Sequence, residues 1–171
     1  MSDQGLVSLF LFLHVGAAII AFGPTFVFPL IGSMSGKEPM HGNFGLRLSE
    51  MMEDRLVIPF ALSMPVTGLL MVWFAHFDLT NRAFYWIDIA IVLYIIAMVI
   101  AIGLQRPNVQ RLVAMTSRPP ATAPASPGPG AAPAGPPPEF LAGVAASRRN
   151  GMILTVLLVA IVFLMVVKPQ F

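Results

Sequence analysis

Four apolar runs, each long enough to approach or exceed a bilayer crossing, leave this chain little choice of fold. The first extends from Leu6 to Ile31 and is interrupted only by His14 and a few small or hydroxyl side chains. At a helical rise of about 1.5 Å, its roughly 26 residues exceed the ~20 that cross the hydrocarbon core. The surplus implies tilt or a kink, and Gly23-Pro24 is where a kink is expected. The second run covers about residues 56–77 and carries Pro59 and Pro65; the third covers about 84–104, and the fourth about 151–167. Strands of a membrane barrel would alternate apolar and polar residues, and none of the runs does so. The expected fold is therefore all-α: a polytopic four-helix bundle forming one membrane domain over residues 1–171.

Composition agrees with that class. Of the 171 residues, 57% are hydrophobic and 11% are charged, whereas soluble domains carry about 25% charged residues. Such a chain lacks the polar side chains to cover a water-facing surface, and the lipid bilayer is its expected solvent. A net charge of +2 without a clustered basic stripe argues against nucleic acid as a partner. Having no cysteine, the chain has no disulfide, thiolate metal site or cysteine nucleophile. The first run reads as a span and not as a cleavable leader, because it is too long and follows Asp3 without a Lys or Arg.

The distribution of cations predicts orientation. Lys37, Arg47 and Arg55 lie between runs one and two, and Arg106, Arg111, Arg118, Arg148 and Arg149 lie between runs three and four. The opposite side has only Arg82 and Lys168. Since cytoplasmic loops carry the Lys/Arg excess, both termini are expected outside and loops 32–55 and 105–150 in the cytoplasm. Trp73, Phe74, Phe77, Phe84, Tyr85 and Trp86 gather at the outer turn, as an aromatic belt at headgroup level would.

Two segments outside the spans differ in character. Residues 43–55 place Phe44, Leu48, Met51 and Met52 near one helical face among charges. They predict a short interfacial helix on the cytoplasmic leaflet, or, in a sharper reading, a helix that docks a partner. About residues 116–140 are dominated by Pro, Ala and Gly, which predicts an extended, disordered linker.

The candidates for chemistry are few. His14 lies in the first span, where an ionisable residue is costly and turns toward a bundle interior. Ala17 and Ala21 follow it on the same face, and that small-residue stripe admits a neighbouring helix closely. His14 suits a haem or metal ligand or a proton-handling group; the simpler expectation is a hydrogen bond across helices, to Tyr94 or a serine. A haem would want a second axial ligand, for which Met71 has a plausible depth. Ser63 and Thr67, four residues apart, suggest an interhelical hydrogen-bonding face, and Ala97 and Ala101 a close-packing one. Asp88, with His14, His76 and Asp78, predicts a loose polar cluster toward the outer side. Phosphate-binding glycine loops and HExxH or GxSxG motifs are absent, so no cofactor or metal is expected from the residues alone.

The stretches "LHVGAAIIAFGPTFVFPLIG", "TGLL" and "MVVKP" resemble a bacterial family of predicted four-span integral membrane proteins of unknown function. The resemblance covers the chain apart from its proline-rich segment and implies a bacterial cytoplasmic membrane. More distantly, the first-span histidine is similar to that of copper-resistance D proteins and of the membrane protoporphyrinogen oxidase, where it is associated with haem. That likeness implies haem b at His14; the third span here offers no histidine, only Met98. The expected function is thus a non-catalytic accessory or structural subunit packing against a larger membrane complex, respiratory or photosynthetic. The alternative is a haem- or metal-linked redox protein or small transporter centred on His14.

Overall fold

The computed structural model describes residues 2–117 and 135–169. Among these, four long helices account for nearly the whole chain: Asp3–Lys37, Gly42–Phe74, Arg82–Ser117 and Pro138–Val167, of 35, 33, 36 and 30 residues. Each is long and apolar enough to cross a membrane. At about 1.5 Å per residue they reach roughly 45–54 Å, well beyond a hydrocarbon core of about 30 Å. The helices therefore continue past their apolar runs.

We label the segments α1 (Asp3–Lys37), α2 (Gly42–Met52), α3 (Ile58–Phe74), α4 (Tyr85–Ile100), α5 (Arg106–Ser117) and α6 (Pro138–Val167). A π-helical turn, Glu53–Val57, joins α2 to α3, and a second, Ala101–Gln105, joins α4 to α5. Residue 2, the 75–84 turn and Lys168 share one end of the bundle, here the terminal end. The connections after Lys37 and Ser117 lie at the other, the loop end.

α1 begins at a Ser2 cap, whose hydroxyl accepts from the Gly5 N–H, and it runs unbroken through Pro24 and Pro29. A membrane-spanning helix tolerates proline because neighbouring groups re-satisfy the freed backbone. α6 begins at Pro138, where the missing N–H costs nothing in the first helical turn. It ends at Lys168 in the left-handed conformation, with the Lys168 N–H bonded to the Leu164 carbonyl.

α1 packs chiefly on α3, and α4 on α6, the two pairs closing into a bundle. Contact is sparse: 11% to 17% of each helix's most apolar stretch is buried inside the protein. The remaining apolar surface suits lipid, which solvates such side chains as well as a core does. The tightest cluster, Trp86, Ile87, Ala90 and Leu164, sits near the terminal end with Phe77 and Phe84 packed against it. This divides the expected aromatic belt. Trp73 and Tyr85 point outward, whereas Trp86 is buried beneath the Lys168 ammonium, 5.7 Å from its ring centroid. Phe74 stacks on Phe10 of α1 at 5.7 Å.

The short helix expected over residues 43–55 is present and continues into the second span. It packs on α1 and α5, and with the first turns of α6 these segments form a helical cap at the loop end. The Pro/Ala/Gly-rich segment expected as a linker over about 116–140 falls largely at 118–134, outside the described residues. At its edges the chain is helical to Ser117 and again from Pro138. The fourth helix therefore starts well before the apolar run at residue 151, because Glu139, Leu141, Ala142, Ala145 and Ala146 are good helix formers.

Candidate functional site

The antiparallel α1–α3 pair is built on small residues. Ala17 and Ala21 of α1 are buried, as is Ala61 of α3, and with no bulk between them the backbones approach closely. Within that seam His14 meets the second helix: its Nδ1 lies 2.9 Å from Thr67 Oγ1. Thr67's own hydroxyl donates back along its helix to the carbonyl of Ser63 (3.2 Å) or Met64 (3.1 Å). An oxygen whose proton is so committed accepts from the histidine. Nδ1 therefore carries the hydrogen, and Nε2 keeps its lone pair. Gly68, next along, leaves room for the ring: a Cβ there would lie 3.4 Å from His14 Cε1.

The partner of His14 is thus Thr67, not Tyr94 or a serine. Tyr94 instead donates to the Ala61 carbonyl, tying α4 to α3. Ser63 donates to Phe60 O of its own helix at 2.8 Å, so of the Ser63/Thr67 pair only Thr67 bonds across helices. Ala97 and Ala101 are half-buried, and Ala101 opens the second π-turn. Of the docking candidates, Phe44 and Met51 are exposed and Leu48 and Met52 half-buried.

The polar cluster expected toward the terminal end does not assemble. His76 Nε2 stands 3.7 Å from Asp3 Oδ2, both side chains exposed. Asp78 turns to Thr80, whose hydroxyl and N–H both donate to it and hold its carboxyl below its ordinary range. Asp88 is half-buried in the first turn of α4, where a carboxylate favours the helix dipole. Among the described residues no three His, Asp or Glu side chains converge on a metal-sized site. The physical reason is local: Asp78 and His76 are each engaged within the turn or by α1's first residue, while His14 lies deep in the α1–α3 seam.

At the loop end the structure shows polar contacts that sequence reasoning missed. Asn108 Nδ2 donates to Gly143 O and to Ser147 Oγ, both at 2.8 Å, and Asn43 Nδ2 to Thr116 Oγ1 at 2.9 Å. Arg106 Nε donates to Asp54 Oδ1 at 3.0 Å, tying the start of α5 to the first π-turn. Glu53 and Asn150 are buried. The signal available was the four-residue spacing of Gly143 and Ser147, visible only if residues 138–150 are taken as helix.

The His14–Thr67 bond should be measurable as a coupling. A double-mutant cycle of His14→Ala and Thr67→Val, followed by unfolding in mixed micelles, is expected to give roughly 1 kcal/mol, within the range for interhelical bonds in membranes. Purely additive effects would mean that the two side chains share no bond.

Neither curated proteins nor solved structures give a match to the sequence. A family model described as a predicted integral membrane protein matches residues 8–169, which include α1 from its second turn, the three later spanning helices, both π-turns and the His14–Thr67 pair. The chain belongs to this family of predicted integral membrane proteins, DUF2269.

Proposed function

We propose that this chain is a non-catalytic subunit that packs against other membrane-protein chains in a larger complex of the bacterial cytoplasmic membrane, respiratory or photosynthetic in type. The observation that carries the reading is a small-residue surface on α1 that the chain leaves unfilled. Gly16 and Gly23, seven residues apart and so on one face of α1, are open: a Cβ added at either would meet nothing within 4 Å. Glycine is unfavourable inside a helix by about 1 kcal/mol relative to alanine, and in membranes that cost is offset where another helix lies close against the backbone. Ala17 and Ala21 already serve α3 on the inner face, so the glycines are free for a second chain. Beyond the apolar spans, Phe44 is 68% exposed and Met40 95% exposed, an apolar surface past the depth where lipid tails would cover it. The eight-to-two division of cations supports placing this end in the cytoplasm.

A second reading has its own observation: His14 Nε2 has no hydrogen-bond partner among the described residues. An imidazole fixed by a bond at Nδ1 is oriented as metal- and haem-ligating histidines are. His14 fits a single axial ligand to haem b. Met71 does not fit as the second, because the helix register places it near Phe10, a turn closer to the terminal end. This reading makes the protein a haem- or metal-linked redox protein or a small transporter.

Mild detergent extraction from native membranes, followed by mass spectrometry and an absorption spectrum of the purified sample, separates the two. Defined co-purifying membrane chains without a Soret band or stoichiometric metal are expected. A lone monomer would sink the subunit reading, and a Soret band lost in His14→Ala would establish the second.

A further inference from the structure

Glu53 is the ionisable side chain that the fold treats least like a surface residue. It is 8% exposed and opens the π-turn between α2 and α3. Burying a carboxylate is costly unless donors or a cation compensate it, and two neighbouring carboxylates, Glu50 and Asp54, oppose its charge. Arg106, just past the second π-turn, is engaged by Asp54, and among the described residues no donor bonds the Glu53 carboxyl.

α1 adds to the same imbalance. Pairing of His14 with Thr67 and of Ser35 and Ile31 with Gly45 sets the antiparallel register. Interpolation between those pairs puts Glu53 opposite the stretch from Pro24 to Pro29. Pro29 has no N–H, so the carbonyl of Thr25 in that stretch lacks its usual helical donor. α1 brings no ionisable residue between His14 and Lys37. The charged groups around Glu53 are therefore Glu50, Asp54 and Arg55 on its own helix and Arg106 from the facing one.

We propose that Glu53 is a proton-binding site at the loop end of the bundle, its carboxyl standing as the acid. The step is a protonation: a hydronium on the loop-end side transfers its proton to a Glu53 carboxylate oxygen and leaves as water. π-turns of this kind recur at functional sites because they swing one side chain out of the regular helical register. Here the turn that carries Glu53 is tied to the start of α5 through Asp54 and Arg106.

Infrared spectroscopy of the protein in lipid nanodiscs at neutral pH, in H2O and D2O, tests this. The wild type is expected to show a protonated-carboxyl stretch that shifts in D2O and vanishes in Glu53→Gln, a variant that mimics the neutral acid in shape. That variant is expected to fold and melt as the wild type does. An unchanged spectrum in Glu53→Gln, or failure of the variant to fold, would overturn the proposal. So would saturable loss of the band on adding sodium or potassium, which would make Glu53 a ligand for a metal cation instead.

Discussion

Replacing Gly143 with alanine is expected to break the helical cap while leaving the four spans helical. A Cβ at this position would lie 2.8 Å from Leu112 Cδ2 and 3.4 Å from Asn108 Oδ1. Leu112 is the largest fully buried side chain among the described residues, so it has nowhere to retreat. Overpacking of this kind costs about 1–3 kcal/mol. Pushing α6 away also stretches the bonds from Asn108 to Gly143 O and Ser147 Oγ, worth on average about 0.6 kcal/mol each in membrane proteins. The spans keep their helicity because their backbone bonds are internal to each segment. Limited proteolysis of α5 and the start of α6 should accelerate while circular dichroism changes little. Leu112→Val, by shortening the opposing side chain, should recover part of the loss in the double variant. A Gly143→Ala protein with unchanged proteolysis would show that α5 and α6 do not pack as described.

What could be read directly from the sequence follows the same division. The spans were legible because a run such as Leu56–Phe77 leaves only the helix as a way to satisfy its backbone in lipid. The cap was not. Residues 138–150 contain Arg148, Arg149 and Asn150 beside a proline-rich stretch, and composition there describes solubility more than conformation. That the segment is helix becomes visible only through Leu112, Asn108 and Ser147, which lie far away in sequence. The π-turns are equally silent: Glu53–Val57 and Ala101–Gln105 share no motif. At the candidate site, His14 and the alanine stripe stood out by chemistry alone. The choice of Thr67 over Tyr94 was a matter of register, which depends on how α1 slides along α3. The aromatic belt misled for a related reason, since an interfacial tryptophan and a buried one look alike. Trp73 is 76% exposed and Trp86 is 7% exposed, although both sit near the same turn.

The two faces of α1 offer the sharpest contrast of outcomes. Ala21→Leu is expected to separate α1 from α3. Ala21 is completely buried, and the register set by His14 and Thr67 places it opposite Phe60 and Ala61. Three added heavy atoms in so narrow a seam should cost about 1–3 kcal/mol and weaken the His14–Thr67 bond with it. Gly23→Leu, two residues on, is expected to do the reverse. Its added Cβ meets nothing, and the exchange of glycine for leucine favours the helix by roughly 0.7–1 kcal/mol. The protein should therefore fold at least as well, yet lose its membrane partner, because bulk now stands where a second helix would lie. Unfolding in mixed micelles reads the first effect, and co-purification from native membranes reads the second. If Gly23→Leu retained its partner, the outer glycines would be facing lipid, and the subunit reading would have lost its supporting surface. If instead it unfolded as Ala21→Leu does, the glycine face would be packed within the chain itself. Only separate losses, of fold on one face and of partner on the other, match an α1 whose inner surface builds this bundle and whose outer surface joins it to another.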